Sequence, residues 1–154
     1  DYTKQLSVEM TYEAAEKQIV GLYATGKAYA MLALLVLARW WQSQLYNPGG
    51  FQKEFHDIRI TPILSTALVS LMLVCFVFKD QLGAWLPLLT VPLAVSGIAI
   101  VHWMVSYREM SVYWLAFAYL FLLFFLQLAY PMLAALALMD SYLNIRQRVK
   151  TKKV

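Results

Sequence analysis

Six side chains carry most of the chemical potential of this chain: Lys27, Glu54, His56, Asp57, Arg59 and His102. Four of them fall in LYNPGGFQKEFHDIR (residues 45–59), where carboxylates, cations and a histidine surround a Pro-Gly-Gly between long apolar runs. Such a set can do one of two things. It can rim a polar cavity in which Glu54, His56, Asp57 and Arg59 meet a small solute, or it can anchor a re-entering helix at a membrane interface, where charged side chains commonly sit. Lys27 lies inside an apolar run, where a charge costs several kcal/mol, on the order of 3, unless it reaches the interface or meets a partner. It either snorkels toward the cytoplasmic end or faces the bundle interior and contacts a carboxylate, a carbonyl or a ligand. His102, in SGIAIVHWMVSY, is either a hydrogen bonder between helices or a ligand contact. His56 is the only other histidine, so no metal-ligand spacing exists and no metal or cofactor is expected. There is no phosphate-binding glycine loop, nucleophile elbow or ordered serine, histidine and acid set. The chain is therefore not expected to be an enzyme, and no catalytic residue is assigned.

The elements that position these residues follow from composition. Hydrophobic residues make up 61% of the chain and charged residues only 14%, against about half and a quarter in soluble domains. The expected class is an all-α membrane protein, with four transmembrane helices, an N-terminal amphipathic helix and an interfacial polar hairpin. A bilayer core of roughly 30 Å needs about 20 helical residues, and runs at about 19–41, 61–78, 83–107 and 112–139 meet that need. Strands are not expected, since the runs are apolar all round and do not alternate. Cys75 lies within the second run as the single cysteine, so no intramolecular disulfide can form.

Each element carries its own signals. In the lead-in over residues 1–18, Thr11 can cap a helix, with Glu13 and Glu16 in its first turns. Arg39, Trp40 and Trp41 form an interfacial belt. Pro48, Gly49 and Gly50 permit a sharp reversal, after which Phe51 and Phe55 share a face and Lys53 can pair with Asp57 four residues on. In the third run, Pro87, Pro92, Ser96 and Gly97 either open the helix as in transporters or form a tolerated kink. The fourth run has 28 residues without a charge, about 42 Å of helix, so it is expected to tilt or to kink at Pro131. Gln127 within it reads as interhelical glue. Asp140, beside Ser141, ends it, with Arg146 or Arg148 as its expected partner.

Orientation follows from basic residues. The tail over 146–154 holds Arg146, Arg148, Lys150, Lys152 and Lys153, which places it in the cytoplasm. The N-terminus and the Lys79 loop then share that side, and the polar hairpin and the Arg108 turn lie opposite. The net charge of +4 fits a tail beside a membrane surface and is accompanied by no nucleic-acid motif.

Three blocks, ARWWQSQLYNPGGFQKEF, SGIAIVHWMVSYREMSVYWLAFAYLFLL and LALMDSYLNIRQR, resemble the C-terminal half of the YybS-like bacterial membrane proteins, a family known chiefly as a domain of unknown function. The likeness runs from about Val20 to Arg148. It implies an inner-membrane protein about twice this length, with helices ahead of residue 1, in keeping with a chain that opens without an initiator methionine. It also implies a fold akin to the substrate-capturing subunits of energy-coupling-factor vitamin transporters. It assigns no binding residues.

The functional expectation is a multi-pass bacterial inner-membrane protein, with the bilayer as its surroundings. In the first reading it is a transport-related subunit that binds a small solute, alongside ATPase subunits. In the alternative it is a non-catalytic scaffold that assembles with another membrane protein through the aromatic residues Tyr113, Trp114, Phe117, Phe121, Phe124 and Phe125.

Overall fold

The computed structural model describes residues 2–151, and side chains over 11–149. The side chains of residues 1–10 and of Lys150, Lys152 and Lys153 lie outside the described set, as does part of what was read as lead-in helix and basic tail. The described chain is helical, in the order α1 (Tyr2–Tyr46), α2 (Gly50–Asp57), α3 (Pro62–Val77), α4 (Lys79–Leu82), a single 3-10 turn (Gly83–Trp85), α5 (Leu86–Tyr107), α6 (Tyr113–Phe124), α7 (Leu126–Leu143) and α8 (Ile145–Thr151). Thr11–Tyr46, Lys79–Tyr107 and Leu126–Leu143 are long and apolar enough to cross a membrane. A fourth crossing exists if α2 and α3, bent by 58°, count as one broken span.

The chain divides into two compact units, one of residues 1–36 and 67–91, the other of residues 37–66 and 92–154. In the first unit, α1 runs on without a break at residue 18, because no proline interrupts it and its two glycines are tolerated. At Gly21 a Cβ would lie 1.9 Å from the carbonyl oxygen of Ala84, so the bare α-carbon is what lets the 3-10 turn abut the helix. Thr25 donates back to the Gly21 carbonyl at 2.8 Å, which satisfies a buried hydroxyl within the helix itself.

In the second unit, α1 ends at Tyr46 and the chain reverses through Gly49, whose φ of 81° is readily adopted only without a side chain. Ser43, 2% exposed, clamps this reversal. Its hydroxyl donates to the Asn47 carbonyl at 2.7 Å and accepts from the Phe51 amide at 2.9 Å, joining the end of α1 to the start of α2. The expected reversal and resumption of helix near Phe51 are thus found, with the Phe51 and Phe55 rings 5.7 Å apart.

Two alternatives left open at prolines are decided. α5 is continuous through Pro92, so the third run is not opened into broken halves. The fourth run breaks at Phe125 (φ −121°, ψ 42°) and not at Pro131. Pro131 lies in the second turn of α7, inside the helix, where it leaves the Gln127 carbonyl without its usual donor and yet does not end the helix.

α5 is the core of the second unit: Leu93, Ala94, Ser96, Ala99, Ile100 and Trp103 are all buried. Small residues let α7 approach it. A Cβ on Gly97 would stand 2.3 Å from the Leu133 carbonyl oxygen, the kind of close backbone contact on which helix pairs in membranes rely. Outside this core the surface is grease: Ile63 is 84% exposed and Phe124 74%. An apolar surface so extensive fits acyl chains and not water.

Gly97→Ala should accordingly push α5 and α7 apart and lower stability by about 1–3 kcal/mol. Gly26→Ala, where nothing lies within 4 Å, should be neutral or stabilising by up to about 1 kcal/mol. Thermal unfolding of both variants in the same detergent checks the contrast.

Candidate functional site

Three helices of the second unit face one another along matching stripes. α5 contributes Ile98, Val101 and His102, α6 contributes Leu115, Ala118, Tyr119, Phe121 and Leu122, and α7 contributes Ala129, Met132, Leu133 and Leu136. Each stripe follows the three- and four-residue spacing of one helical face. Between them lies an apolar cavity of about 150 Å³. Its walls carry one polar couple, in which His102 Nε2 and the Tyr119 hydroxyl are 2.7 Å apart.

His102 also stands at the edge of a more polar region. The Phe55 ring of α2 meets the imidazole edge-on, with centroids 5.2 Å apart, and this contact brings α2 over the end of α5. A second cavity, about 160 Å³, is lined by Gln52, His56, His102, Ser106, Met110 and Leu115 among others. A third, about 310 Å³, is lined by Lys53, His56, Asp57, Trp103, Ser106 and Tyr107. Stacking of Trp103 on Tyr107 at 5.0 Å firms its α5 side, and Tyr107 donates to the Val149 carbonyl at 3.1 Å. The three spaces adjoin, since His56 and Ser106 are shared by the two polar ones, and His102 and Leu115 by the middle and apolar ones.

Of the residues singled out in the sequence, His56, Asp57 and His102 come together here. Burial, helped by the Arg146 charge and opposed by Asp57, lowers the His56 pKa, which favours the neutral imidazole. Lys53 and Asp57 do not form the expected ion pair; both line the polar mouth. Glu54 does not join the cavity rim. It takes a two-pronged contact from Arg39, with Nε 2.7 Å from Oε2, and this hydrogen bond holds its carboxyl below the usual range. Arg39, read from sequence as a belt residue, therefore ties α2 to the end of α1. Lys27 belongs to the first unit, is exposed, and holds its Nζ 5.3 Å from the Tyr23 ring centre.

Arg59 serves a different cluster. Asp140, fully buried at the end of α7, lies 3.0 Å from Arg146 Nε and 3.8 Å from Arg59 Nε. Arg146 was an expected partner, whereas Arg59, 81 residues earlier in the chain, was not. The Arg146 guanidinium continues to the carbonyls of His56 and Ile58, the latter at 2.9 Å. Arg59 donates to the Ser141 carbonyl at 3.0 Å, and the Ser65 hydroxyl donates to that of Ser141 at 2.6 Å. Asn144, left-handed at φ 51°, closes α7 and lets α8 turn back toward Asp140. These contacts fix the stretch between α2 and α3, and with it His56; together with the Tyr107–Val149 bond they set α8 beside the polar hairpin and the end of α5, which corrects the expectation that the hairpin and the Arg108 turn lie opposite the basic tail. Tyr119, Ser106, Ser65 and Ser43 had no signal in the sequence, because each gains its role only from a residue on another helix or across the reversal.

Two outcomes follow. Asp140→Ala leaves two arginines without their buried carboxylate and should cost about 3–5 kcal/mol, whereas Arg39→Gln on the exposed pair should leave stability nearly unchanged; chemical unfolding in detergent separates them. Because the folded state disfavours protonated His56, its contribution is present above the unfolded pKa of about 6.5 and is lost as pH falls below it. Wild-type stability should thus fall more steeply than that of His56→Gln in melting curves taken on either side of that pH.

Among the described residues no group of three histidine, cysteine or acidic side chains is placed to hold a metal. Compared with protein-family models, curated proteins and solved structures, the chain matches none of them.

Proposed function

We propose that the chain is a multi-pass protein of the bacterial inner membrane, with its C-terminus in the cytoplasm, and that its second unit binds a small solute as a transport-related subunit. The observation that carries this reading is the run of three adjoining cavities, which passes from Lys53 and Asp57 through His56 and Ser106 to His102, Tyr119 and an apolar end. Concave, mostly apolar space with a few convergent polar groups is the usual form of a small-molecule site. The exposed apolar helices support the membrane assignment, and the basic residues of α8, which stand beside the polar hairpin, support placing that end of the second unit, hairpin included, in the cytoplasm. The resemblance to YybS-like proteins supports a partnership with ATPase subunits in the manner of energy-coupling-factor transporters.

A second reading, a scaffold for another membrane protein, is favoured by the outward face of α6. There Trp114 and Phe117 meet edge to face at 6.3 Å, and Phe117 is 61% exposed. Lipid can cover such a face as well as protein can.

Native mass spectrometry of the protein, extracted gently from its own membrane, should show a reproducible small-molecule adduct. His102→Phe, which keeps a ring but removes the nitrogens, should lose that adduct while remaining folded. A stoichiometric protein partner with no small molecule, unaffected by His102→Phe and released when Trp114 and Phe117 become alanine, would favour the scaffold instead.

A further inference from the structure

We infer, resting on the solute-binding reading above, that the ligand is a small amphiphile. Its apolar end, about the size of a benzene ring, sits between α5, α6 and α7; a hydrogen-bonding atom meets His102 and Tyr119; its polar end lies toward Lys53 and Asp57.

Volume sets the apolar end. A cavity of about 150 Å³ whose walls are mostly aliphatic, with the Phe121 ring among them, is of the size that admits benzene. Wall chemistry sets the junction. His102 and Tyr119 bond to each other, yet an imidazole and a hydroxyl together retain unused donor and acceptor capacity, so one ligand hydroxyl or carbonyl can join them. A wholly polar solute would gain nothing from the apolar walls. A wholly apolar one would leave the polar spaces beside it unused.

The order of the spaces sets the rest. Two polar spaces lie beside one apolar space, in an order set by the lining they share, His56 and Ser106 at one step and His102 and Leu115 at the next. At the mouth, Lys53 and Asp57 offer one charge of each sign, and neither is in an ion pair among the described residues. Of the nearby cations, Arg39 is offset by Glu54, whereas Arg59 and Arg146 share the single carboxylate of Asp140 and leave one positive charge, which acts on His56 and Asp57. The mouth therefore carries a small positive excess, and a polar end that is neutral or bears one negative charge matches it.

The test is methyl NMR of the protein in lipid nanodiscs with carbon-labelled methionine methyl groups. Met132 lines the apolar cavity and Met110 the middle one, while Met31 is 67% exposed on α1 and reports partition into lipid. Benzyl alcohol is the probe, with toluene and methanol as its apolar and polar halves. Benzyl alcohol should shift the Met132 methyl saturably at concentrations that leave Met31 unmoved, and methanol should not. Ala118→Phe, which fills the cavity from the loosely packed α6, should abolish the shift. Tyr119→Phe, which keeps the cavity and the ring, should weaken benzyl alcohol about tenfold, the worth of one hydrogen bond, and leave toluene unchanged.

If methanol binds as tightly as benzyl alcohol, or if benzyl alcohol shifts Met132 equally well in Ala118→Phe, or if Tyr119→Phe affects neither aromatic probe, the amphiphile is wrong. If Met132 stays silent to benzyl alcohol while the native adduct persists, the amphiphile again falls and solute binding stands. If the adduct is absent as well, both fall.

Discussion

The second unit depends on one buried carboxylate. Asp140 has no access to solvent, and a carboxylate in such a place is tolerable only with cations and hydrogen bonds around it. Arg146 and Arg59 supply the charge, and the spare donors of the same guanidinium groups reach the carbonyls of His56, Ile58 and Ser141. Those carbonyls belong to a helix end and a turn, where backbone oxygens have no partner of their own. One ionic cluster thus neutralises a charge and satisfies the backbone where α2 gives way to α3.

The consequence for the site is positional. With its C-terminal end held by Arg146, and Glu54 held by Arg39 nearer its start, α2 is pinned at two points. Phe55 then rests on His102, and His56 faces the space next to Ser106. None of the residues that pin α2 lines the cavities, apart from the backbone of His56. The charges most conspicuous in the polar stretch therefore divide into two groups: Glu54 and Arg59 hold the structure, while His56, Asp57 and Lys53 line the opening.

A different constraint shapes the apolar end. Between α5 and α7 the close approach at Gly97 leaves no space, and α7 carries alanines at positions 129 and 137 that are buried. α6 has no buried residue; it meets the others through a single stripe of Leu115, Ala118, Tyr119, Phe121 and Leu122. The cavity exists where the tight pair ends and the loose third helix begins. The break at Phe125 is what permits this, since it allows α6 to leave the axis of α7 and lean along the stripe containing His102.

Much of the fold was legible in the sequence because it rests on local chemistry. Apolar runs of spanning length, the Pro-Gly-Gly reversal and the helix resuming at Phe51 each follow from a few adjacent residues and from the need to satisfy backbone groups in a medium without water. The continuity of α5 through Pro92 and the break at Phe125 were not legible, since a proline marks where a helix is weak and packing decides where it yields. The site was half legible. His56, Asp57 and His102 stood out as polar residues in an apolar chain, but the same signal marked Glu54, Arg59 and Lys27, whose partners place them elsewhere. The sequence by itself determined which residues are too polar to face lipid unaccompanied. Only the tertiary structure decided which of them meet a protein partner, such as Arg59 with Asp140, and which are left lining open space, because pairing across tens of residues depends on how helices are brought together and leaves no mark on local pattern.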